Sequence, residues 1–583
     1  MIAYTAPVAE QMSVLRHVGA IDAAMDARGE NPELAAMVLD QAAKFAAKVY
    51  APLNASGDQE GARLEAGGVK LPQGFAEAYR AHAEGGWTGI AAPVSHGGQG
   101  LPLSLAAAVQ EQMMAANLAL SLGPILSAAA IEVLRLHGTA EQRDLYLEPM
   151  VSGRWPATMC MTEPQAGSDV GALACRAVAQ DDGSYAISGS KIFITWGDHD
   201  AAELILHLVL ARLPDAPEGS RGISLFLVPS RQVNADGSIG ADNDVQCVSI
   251  EHKLGIRGSP TCTMVFGEQG SCRGWLIGQE NRGLPAMFAM MNPMRVSVAI
   301  QGVAVAERAL QAATAFAFER KQSRLPGGKE PVSIIHHPDV QRMIARMRAQ
   351  TEAARALAYC TAAAIDRGLS GDAEAVGLAD CLKPLAKLFC TEVGVSVANE
   401  AVQVFGGMGF VEETGVAQLL RDARIAPIYE GTNGIQALDF VQRKLALPAI
   451  DRWLAEMAEL GARSWTDQIG RVIDVYRSTV AALVDAVTDM RSCNDDRYRL
   501  HRATAFAGLF AATGAGALLL KQLAGISGAD GGQIDELAER RKAITIAFYL
   551  AEILPAERAR LMPIGKAPVL AVPDIVEEYF QIG

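Results

Sequence analysis

The sequence lacks an excess of positive charge. Its 51 Lys and Arg residues are outnumbered by 65 Asp and Glu residues, which gives a formal net charge of −14. Contacts to phosphate groups dominate the affinity of proteins for nucleic acids, so this balance is that of a poor general binder of DNA or RNA. Half of the residues are hydrophobic and 20% are charged. This ordinary globular composition excludes wholesale disorder and collagen-like repeats.

The cysteines lack the spacing of a metal site. The chain has nine of them, but no Cys-x-x-Cys motif occurs and no cysteine pair has zinc-ligand spacing with histidines. We therefore predict no metal site, and we interpret the cysteines as reduced thiols of an intracellular protein.

Long hydrophobic runs are scarce. The first residues, MIAYTAPVAE, lack the charged start and apolar run of a signal peptide. Two uncharged stretches approach membrane-spanning length, Met113–Ile131 and Ala503–Leu520, but both are weakly hydrophobic for their length. We interpret both as buried core helices, and we expect no membrane partner and a cytoplasmic location.

The pattern of residues changes twice along the chain. It is helical to about residue 155, rich in short β-branched runs from about 157 to 280, and helical again from about 284. No GxGxxG motif follows a predicted strand, so we do not expect a Rossmann dinucleotide-binding domain. The order predicts an α+β protein, because helices and strands are segregated rather than alternating. The predicted domains are an N-terminal helical domain (1–156), a middle β domain (157–283), a helical domain (284–446) and an additional helical domain (447–583).

Within these domains, individual elements are also predicted. The β domain is expected to be antiparallel, with strands at Tyr185–Ile187, Ile192–Thr195, Leu204–Ala211, Ile223–Val228, Val245–Ile250 and Thr263–Phe266. Long helices are expected at Val340–Ile365 and Ala379–Phe405.

Two segments have residues suited to holding a cofactor. In TEPQAGSDV (162–170), Gly167 lets the backbone approach a ligand closely, and Ser168 with free amides could hold a pyrophosphate. In KIFIT (191–195), strand alternation places Phe193 and Thr195 on one face, where an aromatic ring beside a hydroxyl suits a flat heteroaromatic group. Taken alone, an interdomain loop and a half-buried strand explain these segments better.

Two further segments lie in the second helical region. QVFGGMGF (403–410) closes a predicted helix, and a C-cap is enough to explain its glycines. In IYEGT (428–432), Glu430 stands among apolar neighbours, where loss of solvation would raise its pKa and make it a competent base. A solvated loop glutamate is the alternative, and it is favoured when this segment is considered alone.

Together, in this order and spacing, the four segments resemble the acyl-CoA dehydrogenase family. PVSHGGQG (93–100) and RVSVA (295–299) add to the match, which spans roughly residues 35–445. The resemblance implies an N-terminal helical domain, a middle β domain and a C-terminal four-helix bundle, with FAD between the last two. It implies that Glu430 removes the α-proton of an acyl-CoA while hydride passes from the β-carbon to flavin N5. Some members carry the base at the position of Met294, but a methionine cannot take a proton.

The resemblance also assigns roles to other residues. Gln403, Gly406 and Gly407 resemble the stretch that receives the adenine half of FAD from a partner subunit, and Arg320 resembles the arginine on the partner's FAD pyrophosphate. The full set of implied FAD contacts is Met161, Thr162, Gly167, Ser168, Phe193, Ile194, Thr195, Arg320, Gln403, Gly406, Gly407 and Thr432. The implied substrate contacts are Ser168, Asn292, Arg295, Tyr429 and Gly431.

The length and several longer segments resemble one branch of the family. GSKIFITWGDHD (189–200), the stretch 207–230, MIAYTAPV (1–8) and GKAPVL (565–570) are similar to the branch that contains 3-methylmercaptopropionyl-CoA dehydrogenase. The branch implies a short thioether acyl-CoA substrate, with ordinary fatty acyl-CoA oxidation as the alternative. The additional domain resembles one associated with dimers, so a homodimer is expected.

The family implies an electron-transfer flavoprotein as electron acceptor. Two other functions stay open at this point. An acyl-CoA oxidase would pass electrons to oxygen, and a DNA-binding relative would keep the fold and the flavin without this activity. The net charge of −14 disfavours the second.

Overall fold

The computed structural model describes residues 4–465, 467–528 and 536–561. The GKAPVL segment and the first three residues of MIAYTAPV therefore lie outside the described residues. The N-terminal region is helical, as predicted. Its helices α6 (Leu103–Ala116) and α7 (Leu118–His137) are separated only by Asn117. The Asn117 side chain accepts a hydrogen bond from Leu120 N (3.1 Å) and so caps α7. A small hairpin of two strands, β1 (Arg63–Glu65) and β2 (Gly68–Lys70), was not predicted. The bounds are α1 Val8–His17, α2 Ile21–Asp26, α3 Glu33–Phe45, α4 Asn54–Glu60, β1 Arg63–Glu65, β2 Gly68–Lys70, α5 Phe75–Glu84, α6 Leu103–Ala116, α7 Leu118–His137 and α8 Ala140–Val151.

The middle region forms one large sheet and a small hairpin. Its strands are β3 Ala157–Cys160, β4 Arg176–Ala179, β5 Tyr185–Thr195, β6 Leu206–Arg212, β7 Ile223–Pro229, β8 Arg231–Val233, β9 Ile239–Asp242, β10 Val245–Ile250, β11 Thr261–Phe266 and β12 Arg273–Ile277. The sheet order is β10-β11-β5-β12-β7-β6-β3, with β4 beside β5 and β6. Most neighbours are antiparallel, as predicted, but β6 runs parallel to both β3 and β4. The two runs predicted within 185–195 form the single strand β5.

Strand β5 contains a bulge that breaks its alternation. The register against β11 shifts between Ile194, opposite Cys262, and Lys191, opposite Met264. Phe193 has a φ of 58°, and its side chain is 58% exposed while Lys191 and Ile194 are both buried. One extra residue is therefore inserted in the strand, and the strand does not alternate regularly through Phe193.

The second helical region forms the bundle. Its helices are α9 Gly283–Glu319, α10 Pro338–Leu369, α11 Ala373–Phe405, α12 Val416–Ala423 and α13 Asn433–Asp439, the last continuing as a π-helical turn Phe440–Lys444. Both long helices predicted here are confirmed, each with a slightly earlier start. The long helices α9, α10 and α11 pack on one another, and α13 packs on α11. Buried Arg355 of α10 bonds Glu111 of α6 (2.8 Å) and Glu307 of α9 (2.6 Å), which ties the bundle to the N-terminal region.

The additional region is helical and continuous with the bundle. Its helices are α14 Pro448–Ala462, α15 Asp467–Gly470, α16 Ile473–Ser492, α17 Asp496–Ile526, α18 Glu536–Phe548 and α19 Leu554–Leu561. Helix α17 packs against α10, α11 and α13. Buried Lys542 of α18 reaches Glu352 of α10 (2.5 Å) and Glu10 of α1 (2.6 Å).

Helices α7 and α17 are long and apolar enough to cross a membrane by length and composition. In each, 83% of the most apolar window is buried inside the fold. The prediction that Met113–Ile131 and Ala503–Leu520 lie in buried core helices is confirmed, since their apolar faces pack against other helices.

Candidate active site

The loop between α12 and α13 holds Glu430 in an unusual conformation. Glu430 has a φ of 56° and Gly431 a φ of 80°. A left-handed glutamate is uncommon and costs roughly 1–3 kcal/mol, so its surroundings must impose it. The loop is closed by hydrogen bonds from Tyr429 N to Ile425 O (3.2 Å) and from Asn433 N to Pro427 O (3.0 Å).

Two side chains hold the carbonyls of this loop. Gln436 Nε2 donates to the Glu430 carbonyl (3.0 Å) and to the Gly431 carbonyl (3.3 Å), and Lys387 Nζ donates to the Gly431 carbonyl (2.9 Å). The φ of 80° at Gly431 favours glycine, and a Cβ there would also lie 2.7 Å from Gln436 Nε2. Within the described part of the chain, the N–H groups of Glu430 and Gly431 donate no hydrogen bond. They are therefore available to a ligand.

The carboxylate of Glu430 is poorly solvated. Its Oε2 is buried and has no hydrogen-bond partner among the described residues. Burial raises the pKa of Glu430 to about 7, although the charges of Lys387 and Arg295 act in the opposite direction. The sequence left a dehydrated and a solvated setting open for Glu430, and the burial of this carboxylate agrees with the first. A carboxylate with this pKa and a free oxygen can accept a proton near neutral pH.

Three of the expected substrate contacts lie beside Glu430. Tyr429 and Gly431 flank it in the chain, and the Tyr429 hydroxyl donates to Gln301 Oε1 of α9. Arg295, also on α9, donates to Asp439 Oδ2 (3.1 Å) and acts electrostatically on Glu430. Thr432 closes the loop by capping α13, since its Oγ1 accepts a hydrogen bond from Ile435 N (3.2 Å).

A second group of predicted residues lies where β3 and β5 end. Fully buried Lys191 donates to the Met161 carbonyl (3.1 Å) and to Glu163 (2.7 Å), and Ile192 N donates to the Thr162 carbonyl (2.9 Å). These bonds fix the TEPQAGSDV loop beside β5. Met161, Thr162, Phe193, Ile194 and Thr195 are thus brought together.

The exposed surface of this group fits a flavin. Phe193 offers an exposed flat ring next to Thr195, whose carbonyl is anchored by Thr158 Oγ1 (2.7 Å). In the adjoining loop Gly167 and Ser168 are exposed, and no atom lies within 4 Å of where a Gly167 Cβ would be. Open backbone of this kind can accommodate a pyrophosphate. The Ile194 side chain, however, is 1% exposed in the β core, so only its main chain could contact a cofactor.

A third group lies at one end of the bundle. The rings of Phe316 and Phe405 stack at 4.2 Å and join the ends of α9 and α11. The exposed members of the group are Arg320, Gln403, Gly406 and Gly407. Along α11, Gln403 lies ~24 Å from Lys387, which contacts the Glu430 loop. Within one chain, these residues are therefore grouped with one another and not with Glu430.

Asn292 lines a cavity beside α9. The cavity has a volume of about 560 Å³ and lies between α6, α7, α9 and the segment 87–101. Ser297 also lines it and donates to Gln110 Oε1 (3.0 Å). Ser297 and Gln301 lie one turn apart on the same face of α9, and Gln301 accepts a hydrogen bond from the Tyr429 hydroxyl. The α9 wall of the cavity therefore extends towards Tyr429. Small side chains create the space, among them Ala91, Ala92, Ala106, Ala128, Ala129 and Ala289.

Sequence reasoning missed the residues that hold the loop. Lys387, Gln436 and Gln301 are all buried, and each contacts residues 429–431. One feature of the sequence could have pointed to Lys387. Lys387 stands in the otherwise apolar helical stretch Pro384–Cys390, and a lysine is rarely fully buried without a specific partner.

The chain matches three family models in succession. Residues 32–154 match the model described as acyl-CoA dehydrogenase, N-terminal domain, residues 158–268 the middle domain, and residues 281–445 the C-terminal domain. These bounds agree with the span of about 35–445 over which the sequence resembles that family.

Individual proteins show the same similarity. The chain is 48% identical to 3-methylmercaptopropionyl-CoA dehydrogenase of Ruegeria pomeroyi over 451 residues, 76% of each protein. It is 35% identical to the broad-specificity linear acyl-CoA dehydrogenase FadE5 of Mycobacterium tuberculosis over 443 residues, 73% of this chain and 71% of that protein. Caenorhabditis elegans ACDH-11, solved in complex with C11-CoA, shares the fold, with a TM-score of 0.74, 21% identity and coverage of 94% of this chain and 91% of that chain.

Proposed function

Because the chain belongs to the acyl-CoA dehydrogenase family, we propose that it oxidises an acyl-CoA thioester to the trans-2-enoyl-CoA, with FAD as cofactor. The proposal depends on the burial and the surroundings of Glu430. Among the described residues, one buried oxygen of its carboxylate has no hydrogen-bond partner, and the backbone N–H groups of Glu430 and Gly431 donate no hydrogen bond. Burial raises the pKa of Glu430 to about 7.

The chemistry follows from these groups. The α-proton of a thioester is a poor acid, so its removal needs both a base and stabilisation of the enolate oxygen. Glu430 takes the α-proton, and its own free N–H is one donor to the thioester oxygen. When bound, FAD would supply the oxidant that takes up the hydride lost from the β-carbon. Arg295 keeps a positive charge near the carboxylate without forming an ion pair with it, since Arg295 bonds Asp439.

The cofactor would be held by two surfaces. Phe193, Thr195 and the loop from Met161 to Ser168 would hold the flavin ring and the pyrophosphate of one FAD. Arg320 and the 403–407 segment would reach the FAD of a second subunit. Their distance of ~24 Å along α11 from the Glu430 loop supports this division. A homodimer is therefore part of the proposal.

The first substrate to consider is 3-(methylthio)propanoyl-CoA, giving 3-(methylthio)acryloyl-CoA. The relative that is 48% identical carries the corresponding name. A second candidate is a longer linear acyl-CoA, and the cavity beside α9 favours it. Its volume of about 560 Å³ falls within the range of ~300–1,000 Å³ typical of small-molecule sites and exceeds what a short acyl group fills.

Electrons would pass from the enzyme to an electron-transfer flavoprotein, as is usual in the family, and the protein would act in the cytoplasm. An acyl-CoA oxidase would instead reduce oxygen to hydrogen peroxide. The yield of peroxide per enoyl-CoA formed in air separates the two: the proposal expects far less than one equivalent, whereas an oxidase gives one.

The experiment that tests the proposal is anaerobic titration of the yellow holoenzyme with a panel of thioesters. The panel contains 3-(methylthio)propanoyl-CoA and linear acyl-CoAs from butyryl to palmitoyl. We expect bleaching of the flavin band by at least one of them, lost in Glu430→Gln and kept in Glu413→Gln, which changes an exposed glutamate nearby in the chain. A holoenzyme that none of these thioesters bleaches would overturn the proposed reaction.

A further inference from the structure

Lys387 is a fully buried cation that no carboxylate neutralises directly. Lys387 is 0% exposed, and no acidic group of the described residues lies within ion-pair distance of it. Burying an ammonium group is costly unless it is well hydrogen-bonded. Its two acceptors are the Gly431 carbonyl (2.9 Å) and Asn433 Oδ1 (3.0 Å). Both belong to the segment that directly follows Glu430.

Asn433 fixes the end of that segment to one turn of α11. Its Oδ1 accepts from Lys387 and from Thr391 Oγ1 (3.2 Å), and its Nδ2 donates to Glu392 Oε1 (2.8 Å). Lys387 therefore donates hydrogen bonds both to the Asn433 side chain and to the carbonyl of Gly431, two residues before it. Its ammonium is the direct link between α11 and the peptide next to Glu430.

The charges around Glu430 come from two helices. Lys387 approaches from α11 and Arg295 from α9. Arg295 is paired with Asp439, which partly cancels its field, whereas the acceptors of Lys387 among the described residues are both neutral. Lys387 in turn faces Glu430, Glu392 and Arg295. Burial lowers the pKa of Lys387 to about 8 against the pull of the two glutamates, so it remains mostly protonated at neutral pH.

We propose that Lys387 is a positioning residue for Glu430: its ammonium holds the Gly431 carbonyl, which sets the left-handed turn at Glu430, and its charge favours the ionised carboxylate. This inference rests on the proposed function, in which Glu430 is the base. Lys387 touches neither substrate nor cofactor in this account and acts through the loop.

The test is the pH dependence of flavin reduction in the holoenzyme. The limiting rate of anaerobic bleaching by the most active thioester is measured from pH 5.5 to 9 in the wild type, Lys387→Met, Lys387→Arg and Lys44→Met. Lys44 is an exposed lysine on α3 and serves as the matched control. Removing a nearby cation raises the pKa of a carboxyl by about one unit or more. We expect the midpoint in Lys387→Met to rise by about one pH unit and the rate at pH 7 to fall about fivefold, with Lys44→Met unchanged.

Lys387→Arg covers the case in which the methionine variant does not fold. It keeps the charge but cannot place it at the same point, so we expect a midpoint near that of the wild type with a reduced limiting rate. An unshifted midpoint in a folded Lys387→Met, or a wild-type limiting rate in Lys387→Arg, would overturn the inference. In either case, loss of bleaching in Glu430→Gln would leave the proposed function intact. If Glu430→Gln is bleached as fast as the wild type, the proposed function fails and this inference fails with it.

Discussion

Lys387 donates a hydrogen bond of 2.9 Å to the carbonyl of Gly431, the residue that follows Glu430. One contact thus joins a buried cation in the middle of a long helix to the peptide beside the candidate base. The loop is held from the other side by Gln436, which donates to the Glu430 carbonyl (3.0 Å). Both carbonyls are engaged by these side chains, whereas the N–H groups of Glu430 and Gly431 donate no hydrogen bond to any described residue.

The raised pKa of Glu430 predicts the direction of the pH dependence. Only the ionised carboxylate can take a proton, and its pKa of about 7 makes it about one-tenth ionised at pH 6 and about nine-tenths ionised at pH 8. The rate of anaerobic flavin reduction should therefore rise with pH, with a midpoint near 7. Stopped-flow measurements at saturating thioester check this. A rate that is already maximal at pH 5.5 would contradict a base with a raised pKa.

Gly431 should tolerate no side chain. With a φ of 80° and Gln436 Nε2 2.7 Å from the position of a Cβ, Gly431→Ala should destabilise the fold by about 1–2 kcal/mol and lower the rate of flavin reduction. Urea unfolding and stopped-flow kinetics measure the two effects. Gly434→Ala is the matched control, because a Cβ there meets no atom closer than Thr432 Oγ1 at 3.7 Å. Equal stability of the two variants would refute the argument.

The alanine-lined cavity predicts how acyl-chain preference can be changed. Ala129 of α7 lines the cavity and is 6% exposed. Ala129→Phe should fill part of it and lower the ratio of kcat/KM for dodecanoyl-CoA to that for butyryl-CoA by about tenfold, ~1.4 kcal/mol. Butyryl-CoA serves as the internal reference for correct folding. A ratio that does not change would show that acyl chains do not enter this cavity.

The bundle-end group predicts a role in FAD retention. Arg320→Met should weaken FAD binding, because it removes an exposed cation from the group expected to reach the pyrophosphate in the partner subunit. The ratio of flavin to protein after gel filtration measures retention. Arg80→Met, which changes an exposed arginine on α5, should retain FAD like the wild type. Full retention in Arg320→Met would argue against this contact.

Local sequence patterns predicted some features and could not predict others. The order of helices and strands follows from neighbours in the chain. The poor solvation of Glu430 does not, because its segment considered alone favours a solvated loop glutamate. The bulge at Phe193 depends on pairing with β11, which lies some 70 residues further along the sequence. Asn292 and Arg295 lie three residues apart on α9, but Asn292 lines the cavity whereas Arg295 bonds Asp439, and these contacts depend on other parts of the chain. The Lys387 contact joins residues 44 positions apart, which no local pattern reveals.

The most direct test of the account is whether Glu430 removes the α-proton. Exchange of the α-protons of a bound acyl-CoA with D₂O is followed by NMR in the wild-type holoenzyme and in Glu430→Gln, with thioester binding measured separately. The account predicts exchange in the wild type and none above background in Glu430→Gln, while FAD and the thioester still bind. Exchange at the wild-type rate in Glu430→Gln would contradict it and require another base.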